Sequence, residues 1–155
     1  MQLDADPEVP DLAFDSRPWS KMRLYEQIAV DQISRRRRNS NREWLGWIPL
    51  WIDPRNPEEW KLGALSILQI GGPREVAIHP RDLYSAIFKL KADCYFLVHN
   101  HPSGSAIPSR ADILLTGKAR TLSNELGVPL LGHLIVTRTT NHWIEMKGTD
   151  MGPAR

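Results

Sequence analysis

At 155 residues the chain has the length of one domain of roughly 100–200 residues, long enough to bury a core without disulfides or a structural metal. Apolar residues at 41% and charged residues at 25% exclude a disordered chain, and a net charge of +2, from 20 basic and 18 acidic residues, assigns no partner. A lone cysteine, Cys94, excludes an intrachain disulfide and a Cys-only zinc site and suits a reducing compartment.

Residues 1–19 lack periodicity and carry Pro7, Pro10 and Pro18 among several aspartates, so they read as a flexible N-terminal arm. No basic region precedes an apolar core there, so no secretory signal is expected. From 20 to 38 the apolar residues Met22, Leu24, Ile28 and Ile33 suggest a helix ending in Arg35–Arg38. Four arginines there form a solvated face that complements the helix dipole, or a contact for nucleic acid phosphate. Residues 43–53, with Trp44, Trp47 and Trp51, read as a strand made irregular by Pro49. Residues 53–57 form a turn, and Asn56-Pro57-Glu58-Glu59 also suits a helix start. Residues 62–70 do not settle between helix and strand.

A short strand is expected over 75–78 and a helix opening at His79-Pro80, with Leu83, Ile87 and Leu90 on one face. The apolar run 94–98 suits a buried strand. A polar loop follows, 99–109, and then a helix from Asp112 to Leu126, stopped by Gly127 and Pro129. Residues 130–137 and 142–146 are expected closing strands, and 148–155 a tail. The longest apolar runs, 48–52 and 95–98, fall far short of the ~20 residues of a membrane span. No membrane association is expected, and a cytoplasmic location is.

Chemistry concentrates between His99 and Asp112. In an extended chain residues i and i+2 project to the same side, so His99 and His101 can converge on one ion. The loop returns to a helix start that offers Asp112 as a third ligand. Two histidines and a carboxylate leave a position for water, the arrangement of a catalytic zinc site. The same residues also have plainer readings. Ser109-Arg110-Ala111-Asp112 is a capping-box pattern, His99 and His101 suit a turn, and His79 a helix start. His133 and His142 fall on expected strands with no assigned role. Ser103 and Ser105 lack the Gly-x-Ser-x-Gly surroundings of a serine nucleophile.

The whole constellation is narrower than its parts. His-x-His, seven residues, Ser, two residues, Asp is matched by His99, His101, Ser109 and Asp112 with every spacing kept. It resembles the signature of the JAMM (JAB/MPN) metalloenzymes, and His-Asn-His-Pro-Ser-Gly followed by Pro-Ser-x-x-Asp resembles their RadC-like branch. Residues 76–83 and 132–136 resemble that branch too, so the likeness spans about 43 to 145. Residues 1–42 are too few for the N-terminal helix-hairpin-helix region of full-length RadC proteins.

The resemblance implies a three-layer αβα JAMM/MPN (cytidine-deaminase-like) fold with a mixed, curved sheet, over a domain of residues 20–147 that includes the helix 20–38. It implies Zn²⁺ held by His99, His101 and Asp112, Ser109 stabilising the developing oxyanion, and Glu43 as general base, with Glu58, Glu59 and Glu75 as weaker candidates. The implied activity is zinc-dependent hydrolysis of a peptide or isopeptide bond in a peptide or protein substrate. The alternative is a DNA-repair-associated accessory or DNA-binding module, using Arg35–Arg38, in which the metal is structural or vestigial. Two departures stand out. Gly132-His133 replaces the usual Asp-His, removing a carboxylate beside the site, and residues 53–70 fit loosely. Oligomeric state is not implied.

Overall fold

The computed structural model describes residues 13–15, 24–71 and 79–145. Its elements are β1 (Ala13–Asp15), α1 (Leu24–Asp31), α2 (Arg35–Arg38), β2 (Trp44–Asp53), β3 (Asn56–Leu62), β4 (Ser66–Ile70), α3 (Pro80–Leu90), β5 (Cys94–Asn100), α4 (Arg110–Leu126), β6 (Leu130–Val136) and β7 (Asn141–Glu145). The described strands form one sheet in the order β1-β7-β6-β5-β2-β3, with β4 also paired to β2. β5 and β6 run parallel and every other described pair is antiparallel. Joining two parallel strands requires a crossover, and α4 is that crossover.

Period-two alternation sorts the strand side chains onto two faces. Trp44, Ile48 and Leu50 of β2 and Cys94, Phe96 and Val98 of β5 pack with Ala29, Val30 and Ile33. Leu45 and Trp47, with Tyr95 and Leu97, pack on the other side with Leu83 and Ile87 of α3 and Leu115 and Ala119 of α4. Helices therefore cover both faces of a mixed sheet, the three-layer αβα architecture that the resemblance implies. Among the described residues no helix is long and apolar enough to cross a membrane. Cys94 is fully buried, and burial, with a smaller contribution from Asp93, pushes its thiol up to about 12.

Pro49 sits inside a central strand because of where its nitrogen points. Its carbonyl accepts from Gly63 N–H at 2.8 Å, so its backbone faces away from β5. On that edge the partner of β2 changes from β4 (Trp47↔Ser66) to β3 (Leu50↔Leu62). The missing N–H therefore falls in the gap between two ladders, where no ladder bond is lost. Gly63 fills this gap: a Cβ there would lie 2.6 Å from Pro49 Cγ and 2.9 Å from the Trp51 ring. Gly63→Ala is expected to destabilise the chain by ~1–3 kcal/mol through overpacking. Chemical denaturation checks it, and an unchanged midpoint would refute the close packing.

Several expected elements differ. The helix expected over 20–38 is broken in its described part between α1 and α2. Ser34 (φ −61°, ψ 152°) leaves helical geometry and its side chain accepts from Arg37 N–H, starting a new turn. The helix start expected at Asn56 is instead strand β3, in a hairpin turned by Pro54-Arg55. Asn56 Oδ1 does accept from Glu58 N–H at 3.3 Å, a local cap-like bond. Pairing of Ile52 with Trp60 and Leu50 with Leu62 places apolar side chains against the core, and that burial prevails over the local signal. Within the arm expected over 1–19, Ala13–Asp15 pair with β7. The strand expected over 75–78 and the tail 148–155 lie outside the described residues.

β6 contains an irregularity that matters for the site. Tyr95 pairs with Leu130 but Leu97 pairs with His133, so β6 advances three residues while β5 advances two. The extra residue reverses the alternation. Leu131 shares a core face with Leu134 and Val136, and His133 turns to the face covered by α4.

Candidate metal centre

The carboxyl end of β5 and the amino end of α4 form one corner. His99 is the penultimate residue of β5 and His101 follows the strand, its N–H bonded to Val136 O at 2.9 Å. The loop 101–109 then delivers Ser109 as N-cap of α4 (φ −80°, ψ 167°) and Asp112 in its first turn. Ser109 Oγ accepts from Asp112 N–H at 3.1 Å, and Asp112 Oδ2 accepts from Ser109 N–H at 2.8 Å. The capping box expected as the plainer reading is therefore present. The same bonds aim the Asp112 carboxylate at the histidines, so the two readings of this residue are compatible.

Three donor atoms converge. His99 Nε2 lies 2.8 Å from His101 Nε2 and 3.0 Å from Asp112 Oδ1, and His101 Nε2 lies 2.9 Å from Asp112 Oδ2. His99, His101 and Asp112 form a group able to hold a metal ion. His101 Nδ1–H donates to the Ser105 carbonyl at 2.7 Å, which leaves Nε2 of the neutral ring as a lone pair. A carboxylate also only accepts, so acceptors face one another and the arrangement favours a cation. Zinc bonds of about 2.0–2.2 Å in a tetrahedron set ligands roughly 3.3–3.5 Å apart, so the trio fits such an ion after opening by a few tenths of an ångström.

The titration behaviour has the same cause. Burial opposes charge on His101, but hydrogen bonds to Asp112 and to the Ser105 carbonyl, with the charges of Asp112 and Glu43, raise its pKa. Burial also opposes charge on Asp112, yet the His101 and His99 rings set against it, with the Ser109 N–H, favour its charged form and hold its carboxyl well below the usual range. His133 behaves oppositely: complete burial, then the charge of His99, lowers it well below the ordinary histidine value.

Glu43 immediately precedes the neighbouring strand, β2. Leu45 pairs with His99 in the antiparallel β2–β5 ladder. Glu43 stands just ahead of β2 and His101 just after β5, and the charge of Glu43 acts on His101. Asn100 fixes its backbone. The Asn100 amide accepts from Trp44 N–H at 2.8 Å and donates to Arg42 O at 3.0 Å, holding the peptide groups on both sides of Glu43. Glu58 and Glu59 lie exposed on β3, the edge strand, and Glu75 is outside the described residues.

Sequence reasoning gave His133 no role and did not single out Thr116 or Asn100. His133 Nε2 lies 2.7 Å from His99 Nδ1, and His133 Nδ1 lies 2.7 Å from Thr116 Oγ1. Thr116 stands one helical turn after Asp112, a spacing that places both on one helix face. His133 reaches the corner through the extra residue in β6, which no local pattern announces. His79 is the N-cap residue of α3, the helix-start role expected for it. In α2, Arg38 is committed to Thr137 O and Asn141 Oδ1, while Arg35, Arg36 and Arg37 are exposed.

Fold and donor set together define a class: a mixed α/β domain of JAB/MPN type with a His-His-Asp trio able to hold a metal. Comparison with known proteins narrows it. The family described as RadC-like JAB domain matches residues 58–150, and the chain belongs to that family. Similar proteins are the UPF0758 proteins of Microcystis aeruginosa (41% identical over 76 residues, 49% of this chain and 31% of the relative) and Carboxydothermus hydrogenoformans (34% over 100 residues, 64% and 42%). That of Streptococcus thermophilus is 45% identical over 71 residues, 46% of this chain and 31% of the relative. The matched part of the chain thus spans between about a third and two fifths of the length of these relatives. Glu43 lies ahead of the family match.

Proposed function

We propose that the chain is a zinc-dependent hydrolase that cleaves an amide bond, in a peptide or isopeptide linkage, by attack of water. One observation carries this reading: two imidazole nitrogens and a carboxylate converge at 2.8–3.0 Å. His99, His101 and Asp112 would hold the zinc. When bound, zinc supplies Lewis acidity and makes water more acidic. Glu43 takes a proton from the attacking water and later returns it to the leaving amine. Ser109 Oγ already accepts from Asp112 N–H, so its own O–H is left to donate to the substrate oxygen as negative charge builds there.

The test is a zinc-replete chain against a panel of peptide-bonded and isopeptide-bonded substrates, beside the same chain stripped of metal. Cleavage that follows the zinc supports the reading. Absence of stoichiometric zinc uptake would overturn it. Ser109→Gly separates the two duties of that residue. Glycine keeps helix capping to within a few tenths of a kcal/mol, whereas losing an oxyanion donor costs ~10²–10³ in kcat. The expected result is near-native thermal stability with that loss of turnover.

A second reading, DNA association, draws on the exposed Arg35, Arg36 and Arg37 of α2. Neutralising all three is then expected to weaken DNA binding and flatten its salt dependence. Unchanged weak binding at every salt concentration would count against it.

A further inference from the structure

The hydrogen bonds behind His99 form a chain whose direction is fixed at its far end. Thr116 Oγ1 lies 2.6 Å from the Asp112 carbonyl oxygen and 2.7 Å from His133 Nδ1. A carbonyl only accepts, so the single hydroxyl proton of Thr116 must go to Asp112 O. Its oxygen is then left to accept from His133, which places the proton of the His133 ring on Nδ1. His133 is fully buried, at 0% exposure, and neutral. Its Nε2 is therefore a lone pair and accepts from His99 Nδ1–H at 2.7 Å. In a neutral His99 ring the lone pair then falls on Nε2, the atom 3.0 Å from Asp112 Oδ1 and 2.8 Å from His101 Nε2.

We infer that Thr116 and His133 are positioning residues that lock His99 in the tautomer able to bind a metal through Nε2. The inference rests on the metal-site reading and adds to it. Histidine ligands need a hydrogen-bond acceptor on their other nitrogen, often a carboxylate or carbonyl, to fix ring and tautomer. Here an imidazole, that of His133, does this. The chain is also closed: it starts at the backbone of Asp112 and ends at the nitrogen facing the Asp112 side chain. One ligand residue thereby helps to set the tautomer of another.

Reversing the chain defeats it. With the His133 proton on Nε2, His99 Nδ1 would have to accept, and the remaining proton of neutral His99 would sit on Nε2 and point at the ligand position. Thr116→Val should favour this state. It removes the hydroxyl that His133 Nδ1 faces and is nearly isosteric, and Thr116→Ser restores the hydroxyl.

The experiment reads the tautomers and the metal separately. Long-range ¹H–¹⁵N correlation spectra of the metal-free chain at pH 8 should show His133 and His99 carrying their protons on Nδ1. Zinc titration should show Thr116→Val weakened by ~10–100-fold, the usual effect of losing such a partner, with Thr116→Ser close to the parent chain. The His133 ring signals should change in Thr116→Val and return in Thr116→Ser, which a merely structural defect would not produce. A parent chain that binds zinc with the His133 proton on Nε2, or a Thr116→Val variant that binds zinc as tightly as the parent, would overturn the relay alone. A parent chain that binds no zinc would overturn the metal reading, and with it the role of the relay, even with both protons on Nδ1.

Discussion

His101→Ala should remove zinc binding, and with it both hydrolysis and the stabilisation that the metal gives. Losing a ligand exceeds the ~10–100-fold loss of affinity that follows when only a ligand's hydrogen-bond partner is removed. Free zinc at about one hundred times its Kd stabilises a native protein by ~2.7 kcal/mol, worth about 5–10 °C in Tm for a domain of this size. The parent chain should show that rise and His101→Ala should not. The variant is suited to the comparison, because His101 lies outside the two apolar cores, its ring donating to the Ser105 carbonyl and facing Asp112. Metal analysis beside thermal melts with and without zinc checks the outcome. An equal Tm rise in both proteins would place the ion elsewhere.

Glu43→Gln should leave zinc affinity intact and lower kcat by ~10²–10⁴, the usual contribution of a well-placed general acid–base group. Glutamine keeps the size of the side chain and removes its capacity to take a proton. Glu43 lies at the entrance to β2 and contributes no side chain to either core, so stability should change by no more than about 0.5 kcal/mol. Zinc titration and single-turnover cleavage, run on the same preparation, separate binding from chemistry. Undiminished cleavage would move the proton acceptor elsewhere. Glu58 and Glu59 would then come first for mutation, although both lie on the far edge strand.

The His-x-His, Ser and Asp spacing was readable because it is local. Two residues on an extended strand end share a side, and a capping box at the next helix start returns the carboxylate within one loop. The strand that follows Glu43 was readable as well. His133 and Thr116 were not. Their meeting depends on one extra residue in β6 and on the rotation of α4, and both are settled by packing across the sheet. Asn56 taught the converse lesson. Its side chain makes the local bond that a helix start would use, yet pairing with β2 buries Trp60 and Leu62 and makes the segment a strand. Pro49 looked like an obstacle in a central strand because the sequence does not reveal which edge its nitrogen faces.

The Asn100 amide has a mechanical consequence. It grips the peptide on each side of Glu43 from the residue that separates the two histidines along the chain. The backbone on either side of Glu43 is thereby tied to the strand end that carries both imidazoles, so the two chain segments are coupled there by side-chain bonds as well as by the ladder.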